Sequence, residues 1–365
     1  MDRFYECFGD LADPRAENAQ HDLLELLFIA LLASLCGAKN CSDMAEFGHA
    51  KEPLLRQVMS LAHGIPSHDT FSRVFRLLDP QGFEAAFRRF TTAFARGAHV
   101  KKPKGVVALD GKFLRRAFER GRASMPCLVV TAWGAETRMS LASTVAREGN
   151  EVEAALQLVE LLQLKGCVVT ADALHCHRTM AGAITARGGH YALALKANQP
   201  VLLRDAEALL AAAKATARPA RTTDKGHDRS ETRSAIVVCA AAMALDHDFP
   251  GLRALAWVET QRNDREAPSR RIFLLSKRWP PERLLDIVRD HWRIENTLHW
   301  TLDVTLDEDL ARNRKDNAPA NLAILRRLAL NIANAHPDTK TSLRRKLLRA
   351  GWDENFLFDL IRHMR

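Results

Sequence analysis

Val106-Val107-Ala108-Leu109-Asp110-Gly111-Lys112 is a short apolar run that ends on a carboxylate, and Cys167-Val168-Val169-Thr170-Ala171-Asp172 repeats the pattern. Between them, Cys127 to Trp133 and Met139 to Ala146 form two further runs rich in Val and Thr, residue types that suit a pleated surface. An amphipathic helix is expected next, with Asn150 as its cap, Glu153 three residues on, and Leu156, Val159 and Leu162 along one face. Beyond Asp172 the spacing predicts a helix over about Arg178 to Arg187, a stop at Gly188-Gly189 and a strand from Tyr191 to Leu195. The order strand, strand, strand, helix, strand, helix, strand predicts an α/β sheet covered by helices.

Working outward, Lys101-Lys102-Pro103-Lys104 is a charged linker that separates this pattern from residues 1–100, which read as all-helical. Helices are expected at Leu23 to Leu35, Cys41 to Ala62, Ser67 to Leu78 and Gln81 to Arg96, with Gly64 and Pro66 as breakers. Two helices joined by a short Gly/Pro turn can form a DNA-reading pair, with His68, Thr70, Ser72 and Arg73 on the outer face. A helical packing domain with a polar surface fits the same pattern. Residues 101–199 form the expected core. Residues 200–281 read as a mainly β insertion, with a helix near Val201 to Ala213 and strands at Thr232 to Cys239, Leu255 to Gln261 and Arg270 to Leu275. Residues 282–340 complete the core, through a helix from Glu282 to Leu298 that carries Glu295 and a helix from Asn317 with Leu322, Leu325, Leu328 and Ile332 as its apolar face. Residues 341–365 form a basic helical tail containing Arg344-Arg345-Lys346.

The 365 residues exceed what a single core usually holds, and a hydrophobic fraction of 47% excludes a largely disordered chain. A formal charge of +9 favours an anionic partner such as nucleic acid. The seven cysteines are scattered and odd in number, which argues against a disulfide framework or zinc knuckle. No leader opens the chain, and the longest apolar run, Leu23 to Cys36, is short and contains Glu25. The expectation is a cytoplasmic, nucleoid-associated protein with no membrane partner.

A carboxylate at the end of a buried strand is costly unless it is paired or holds a metal. Asp110-Gly111 is also a common turn pair. If the strands bearing Asp110 and Asp172 are neighbours, however, both carboxylates meet at one sheet edge, where their charges conflict unless a divalent cation intervenes. Glu295 lies in His291-Trp292-Arg293-Ile294-Glu295-Asn296-Thr297-Leu298-His299-Trp300, where helical spacing puts Trp292, Glu295 and His299 on one face. Spacing alone favours a Glu paired with Arg289 or Arg293 at a domain contact. It also allows Glu308 or Asp309 as the third carboxylate, although these read better as helix caps or partners of Arg312 and Arg314. Three carboxylates offer the hard oxygen donors that magnesium takes, and such sets seat two metals about 4 Å apart.

The sequence resembles the ISAs-type branch of the DDE insertion-sequence transposases, which includes the H-repeat-associated proteins. The resemblance spans essentially the whole chain. It rests on Pro66-Ser67-His68-Asp69-Thr70-Phe71, Leu109-Asp110-Gly111-Lys112, Thr170-Ala171-Asp172-Ala173, Leu195-Lys196-Ala197-Asn198-Gln199, Gly226-His227 with Glu231-Thr232-Arg233, and above all His291 through Trp300. It implies an RNase H-like mixed sheet flanked by helices, with an insertion before the Glu-bearing helix. It further implies Asp110, Asp172 and Glu295 as catalytic triad and ligands of two Mg²⁺ or Mn²⁺ ions. The implied partners are double-stranded DNA, as terminal inverted repeats and target, and a second copy of the chain in the DNA complex. The implied reaction is strand cleavage and strand transfer; a silent DNA-binding relic and a structure-selective nuclease on the same core are the alternatives. Where relatives carry a Tyr, an Arg and a downstream Lys around the catalytic Glu, this chain has Val288, His291 and Leu302.

Further residues fit DNA contacts. Lys112, Arg115 and Arg116 follow the first Asp and suit phosphate neutralisation. Lys196 and Asn198 close the last core strand, Lys196 as a DNA contact or salt-bridge partner. His227 and Arg229 sit in a polar loop of the insertion, and His291, Arg293 and His299 flank Glu295. His175-Cys176-His177 invites a zinc reading, but sequential side chains diverge. Trp292 and Trp300 are core residues or base-stacking platforms.

Overall fold

The computed structural model describes residues 2–97, 105–117, 126–214, 217–226, 229–264 and 267–362. His227 and the Lys101–Lys104 linker lie outside the described residues, as does the side chain of Arg229. The chain opens with helices α1 (Asp2–Phe8), α2 (Leu23–Leu35), α3 (Cys41–Ala50), α4 (Glu52–Leu55), α5 (His68–Leu77) and α6 (Pro80–Gly97). The single helix expected from Cys41 to Ala62 is therefore broken. Pro53, in the first turn of α4, lacks the N–H that a continuing helix would need, so the chain caps at Lys51 and restarts. Asp22, Asn40 and Ser67 cap α2, α3 and α5 with side-chain oxygens.

The core follows in the expected order: β1 (Val106–Phe113), β2 (Leu128–Gly134), β3 (Met139–Val145), α7 (Glu151–Leu161), β4 (Val168–Ala171), α8 (Arg178–Ala186) and β5 (His190–Leu195). The insertion comprises α9 (Pro200–Lys214), β6 (Ala220–Gly226), β7 (Arg229–Cys239), α10 (Ala241–Asp246), β8 (Ala254–Arg262) and β9 (Ser269–Leu275). Then come α11 (Pro281–Arg293), a π-helical stretch (Ile294–His299), α12 (Trp300–Val304), α13 (Ala318–Ala335), α14 (Leu343–Trp352) and α15 (Glu354–Ile361).

The nine strands among the described residues join one sheet in the order β3-β2-β1-β4-β5-β9-β8-β7-β6. β1 pairs antiparallel with β2 and parallel with β4, and β4 parallel with β5. The antiparallel meander beside two parallel crossover strands is the RNase H-like arrangement. The insertion does not leave this sheet. β9 pairs antiparallel with β5, Ala192 facing Leu275, and three more antiparallel strands extend it. Of these, β6 was not expected: Ala-Arg-Thr-Thr-Asp-Lys-Gly is polar, pairs with β7 alone and forms the sheet edge.

Alternation along the strands divides two cores. Val107 and Leu109 pack with α7, α8 and α9 on one face. Val106 and Ala108 pack on the other face into a core shared with α11, α13 and the N-terminal helices. α13 is buried on every side, including its polar residues Asn321, Arg326, Arg327 and Asn331. Asn321 Nδ2 donates to the carbonyls of Phe75 and Leu78, and Asn331 bridges to Ser140, which ties the N-terminal layer to the sheet through one helix. The tail is also drawn in. Lys346, expected on a basic surface, is 4% exposed and donates to the carbonyls of Ala333 and His336 at the end of α13. No helix among the described residues is long and apolar enough to cross a membrane.

Candidate active site

β1 and β4 are neighbours, and their parallel register places Ala108 opposite Thr170. Two residues further along each chain stand Asp110 and Asp172, so both fall at one level and on one face, the face covered by α11. Asp110 is not the last residue of its strand, which continues to Phe113 against β2. It lies instead just beyond the end of the β4 pairing, where the sheet opens. Asp172 follows β4 directly and is exposed.

The third carboxylate comes from the helix above. α11 does not end at Arg293 but runs through the π-helical stretch that contains Glu295 and His299. Such single-turn insertions re-aim side chains and recur at functional sites. Neither arginine that spacing allowed as a partner takes Glu295: Arg289 pairs with Asp224 and Arg293 with Asp290. Nor does Glu308 compete for the site. It forms a fully buried ion pair with Arg327 at 3.0 Å, while Asp309 pairs with Lys112 and Arg115, rather than with Arg312 and Arg314.

Electrostatics shows the convergence. Asp110 is pushed up to about 7, first by burial and then by the negative charges of Glu295, Asp172 and Glu151. Glu295 is raised by burial and by Asp172, with Arg271 opposing. The histidines move the other way. His291 is lowered to about 4 by burial, with Arg271 and His175 adding and Asp172 opposing. His299 is lowered to about 3 by burial, Arg327 and Lys112. Both are therefore neutral imidazoles at pH 7. His291 Nδ1 lies 3.0 Å from Thr170 Oγ1, and His299 Nδ1 lies 3.5 Å from Asp110 Oδ2.

These donors fit a hard divalent cation in kind: they are carboxylate oxygens whose mutual repulsion such a cation would relieve. Among the described residues, no group of three or more His, Cys, Asp or Glu is disposed to hold a metal ion. The donor chemistry is therefore present, while the side chains are not closed around an ion.

The basic residues divide. Lys112 is 8% exposed and is held at 2.8 Å from both Asp303 and Asp309. Arg115, Arg116, Arg293 and Lys196 are exposed around the site, and Arg73 is exposed on α5. Lys196 shares a small recess with Asp172, Arg271, His291 and Trp292. Asn198 Nδ2 donates to the carbonyl of Ala173, bracing the loop after Asp172. Trp292 lies under the Arg271 guanidinium, 4.3 Å from it, whereas Trp300 is exposed. In the His-Cys-His run, Cys176 is buried, His177 caps α8 and His175 faces Glu151 at 3.3 Å.

Sequence reasoning missed Glu151 and Arg271. A signal for Glu151 existed. Two antiparallel reversals make β3 run parallel to β1, so a helix that begins just after β3 begins at the Asp110 end of the sheet. Arg271 had no such signal, because its place depends on β9 pairing with β5.

The chain matches the family described as "Transposase DDE domain" over residues 101–332 and the family described as "DDE_Tnp_1-associated" over residues 5–91. It is 30% identical to the H repeat-associated putative transposase YhhI of Escherichia coli (strain K12), over 94% of this chain and 93% of that one. A protein from Xanthobacter autotrophicus, known as the uncharacterized protein in the dhlA 3′ region, is 40% identical over 74% of this chain and 92% of its own length. The cryo-EM structure of the piggyBac transposase synaptic complex with hairpin DNA aligns with all of this chain and 80% of that one, at a TM-score of 0.48 and 12% identity. From the family match over most of the chain, it follows that this protein belongs to the DDE transposases, in the group that includes the H-repeat-associated proteins.

Proposed function

We propose that this protein binds the terminal inverted repeats of an insertion sequence and cleaves and transfers DNA strands, using Asp110, Asp172 and Glu295 as ligands of two Mg²⁺ or Mn²⁺ ions. The observation that supports this most is the rise of Asp110 to about 7 under burial and the charges of three other carboxylates. A structural acid would be paired with a base. This one faces further acids and a neutral imidazole.

When bound, the cations supply polarisation of the attacking water or 3′-hydroxyl and compensate the charge on the leaving 3′-oxygen. The protein's own side chains do the rest. Asp110 gives up its proton as it becomes a ligand. Neutral His291, held by Thr170, and neutral His299 line the site without adding positive charge that would compete with the cations. Arg271 moderates the repulsion between Glu295 and Asp172. Lys196, Arg115, Arg116 and Arg293 are exposed and can meet phosphates, Arg115 and Arg293 by exchanging their surface pairs with Asp309 and Asp290, and Arg73 extends the basic surface onto the N-terminal helices, where a second contact with the repeat would fall. Joining two DNA ends calls for two copies of the chain in the complex.

The test is cleavage and strand transfer on labelled inverted-repeat DNA with Mg²⁺. Asp110→Asn, Asp172→Asn and Glu295→Gln should each abolish cleavage while DNA binding persists. Full activity in any one of them removes that residue from the triad.

A further inference from the structure

Glu151 opens α7 at the edge of the sheet where Asp110 lies. Its carboxylate lies against Gly111, since a Cβ added there would come within 2.7 Å of Glu151 Cδ and Oε1. Gly111 points to the α7 face and Asp110 to the α11 face, so Glu151 reaches the site from the opposite side of the sheet to Glu295. An acidic residue in a first helical turn ordinarily serves the helix dipole. Here Asn150 already caps α7 by accepting from Glu153 N, and Glu151 engages a histidine instead. That histidine is buried. His175 is 1% exposed, its Nε2 lies 3.3 Å from Glu151 Oε1, and its Nδ1 has no hydrogen-bond partner among the described residues. A buried imidazole with a single polar contact is costly, and that contact is the Glu151 carboxylate.

We propose that Glu151 is a fourth carboxylate ligand of the metal site and that His175 is the positioning residue that holds it toward Asp110. The inference rests on the two-metal reading of Asp110, Asp172 and Glu295. His175 sits three residues after Asp172, and Asn198 braces the same turn by donating to the carbonyl of Ala173. One rigid turn therefore sets both Asp172 and the partner of Glu151. Outer residues of this kind orient a ligand without touching the ion.

The test is Mn²⁺ binding by the full chain without DNA, followed by calorimetry and by the electron paramagnetic resonance of free Mn²⁺, at one fixed pH. Glu151→Gln should weaken Mn²⁺ binding by at least about tenfold, since losing a ligand costs no less than losing a residue that only orients one. His175→Ala should weaken it in the same sense, and His175→Gln, whose amide can still donate to Glu151, should recover most of the loss. Thermal melting of each variant reports folding. If His175→Ala does not fold, the half-buried Glu151→Gln decides alone. Wild-type Mn²⁺ affinity in Glu151→Gln, alongside a loss in Asp172→Asn, overturns this inference and leaves the triad standing. Wild-type affinity in Asp172→Asn is a different result, which overturns the triad reading and this inference with it.

Discussion

His299 Nδ1 lies 3.5 Å from Asp110 Oδ2, yet the two do not form an ion pair at neutral pH. Burial holds the imidazole near 3, and burial with three neighbouring acids holds the carboxyl near 7. The contact joins a neutral ring to a half-protonated acid, and none of the groups that shift Asp110 is a cation. A cation entering there would meet a proton first.

Metal uptake should therefore depend on pH. Ionised Asp110 is the ligand, so Mn²⁺ affinity should rise as pH climbs through about 7 and level off above it. Between pH 6 and pH 8 the ionised fraction changes by roughly tenfold. Calorimetry at the two pH values checks this, and equal affinities would sink the reading of Asp110 as a ligand held protonated.

The same acid should destabilise the metal-free fold. Its folded value, about 7, is raised above the ordinary 3.8. The folded state therefore holds a proton that the unfolded state has lost, and stability falls as pH rises from about 4 to about 7. Asp110→Asn removes that loss. It should raise stability at pH 8, by up to about 4 kcal/mol for a shift of roughly three pH units, and so raise the melting temperature there, and clearly less at pH 5. A gap that does not change with pH would count against it.

Glu308 and Glu295 should separate in a melting experiment. Glu308 and Arg327 are both fully buried, and Arg327 also bonds to Thr131 and the carbonyl of Ala323. Glu308→Gln leaves a buried guanidinium without its counter-charge and should cost about 3–5 kcal/mol. Glu295→Gln removes a carboxylate raised by burial and by Asp172, so it should leave the melting temperature unchanged or higher while cleavage is lost. Equal melting temperatures for the two variants would contradict this division.

Lys112 and Arg115 should separate in DNA binding. Lys112 is enclosed by Asp303 and Asp309, whereas the Arg115 side chain is 80% exposed. Arg115→Ala should lower the salt slope of DNA binding by about one released counterion. Lys112→Ala should leave the slope unchanged and instead lower stability by about 3 kcal/mol, since two carboxylates lose their shared cation. The affinity of each variant at several salt concentrations decides the matter.

Gly111→Ala should act through Glu151. The added methyl meets the flexible end of that side chain rather than backbone, so the fold should survive with little change in melting temperature. Mn²⁺ affinity should nevertheless fall as Glu151→Gln makes it fall. Unchanged affinity would mean that Glu151 swings aside without consequence.

The core strands and the two Asp positions were legible in the sequence because both follow from local pattern. A Val-rich run and its breakers define a strand without knowledge of its neighbours, and Asp110 and Asp172 stand at equivalent points of two such runs. The helical character of the N-terminal region was legible for the same reason, as were the caps at Ser67 there and at Asn150 in the core, although the stretch from Cys41 to Ala62 is broken at Lys51. Glu295 is a different case. Helical spacing alone could not choose it over Glu308; the family motif singled it out, and burial of Glu308 against Arg327 then removed the rival.

Tertiary structure alone decided which charges are spent on the fold. Lys112 and Lys346 read as surface cations in the sequence, but Lys112 neutralises two carboxylates that follow the Glu295-bearing helix and Lys346 caps α13. It also decided that the insertion extends the core sheet through β9, which brings Arg271 over Trp292 and beside Glu295. Strand pairing and charge partnering join residues far apart in the chain, and periodicity reports only on neighbours within a few residues. The sequence alone therefore determined the core strands β1 to β5 and the positions of the two acids that follow their apolar runs. The raised value of Asp110, and the placing of the Glu151 carboxylate beside it, depend on which distant groups fold against that sheet edge.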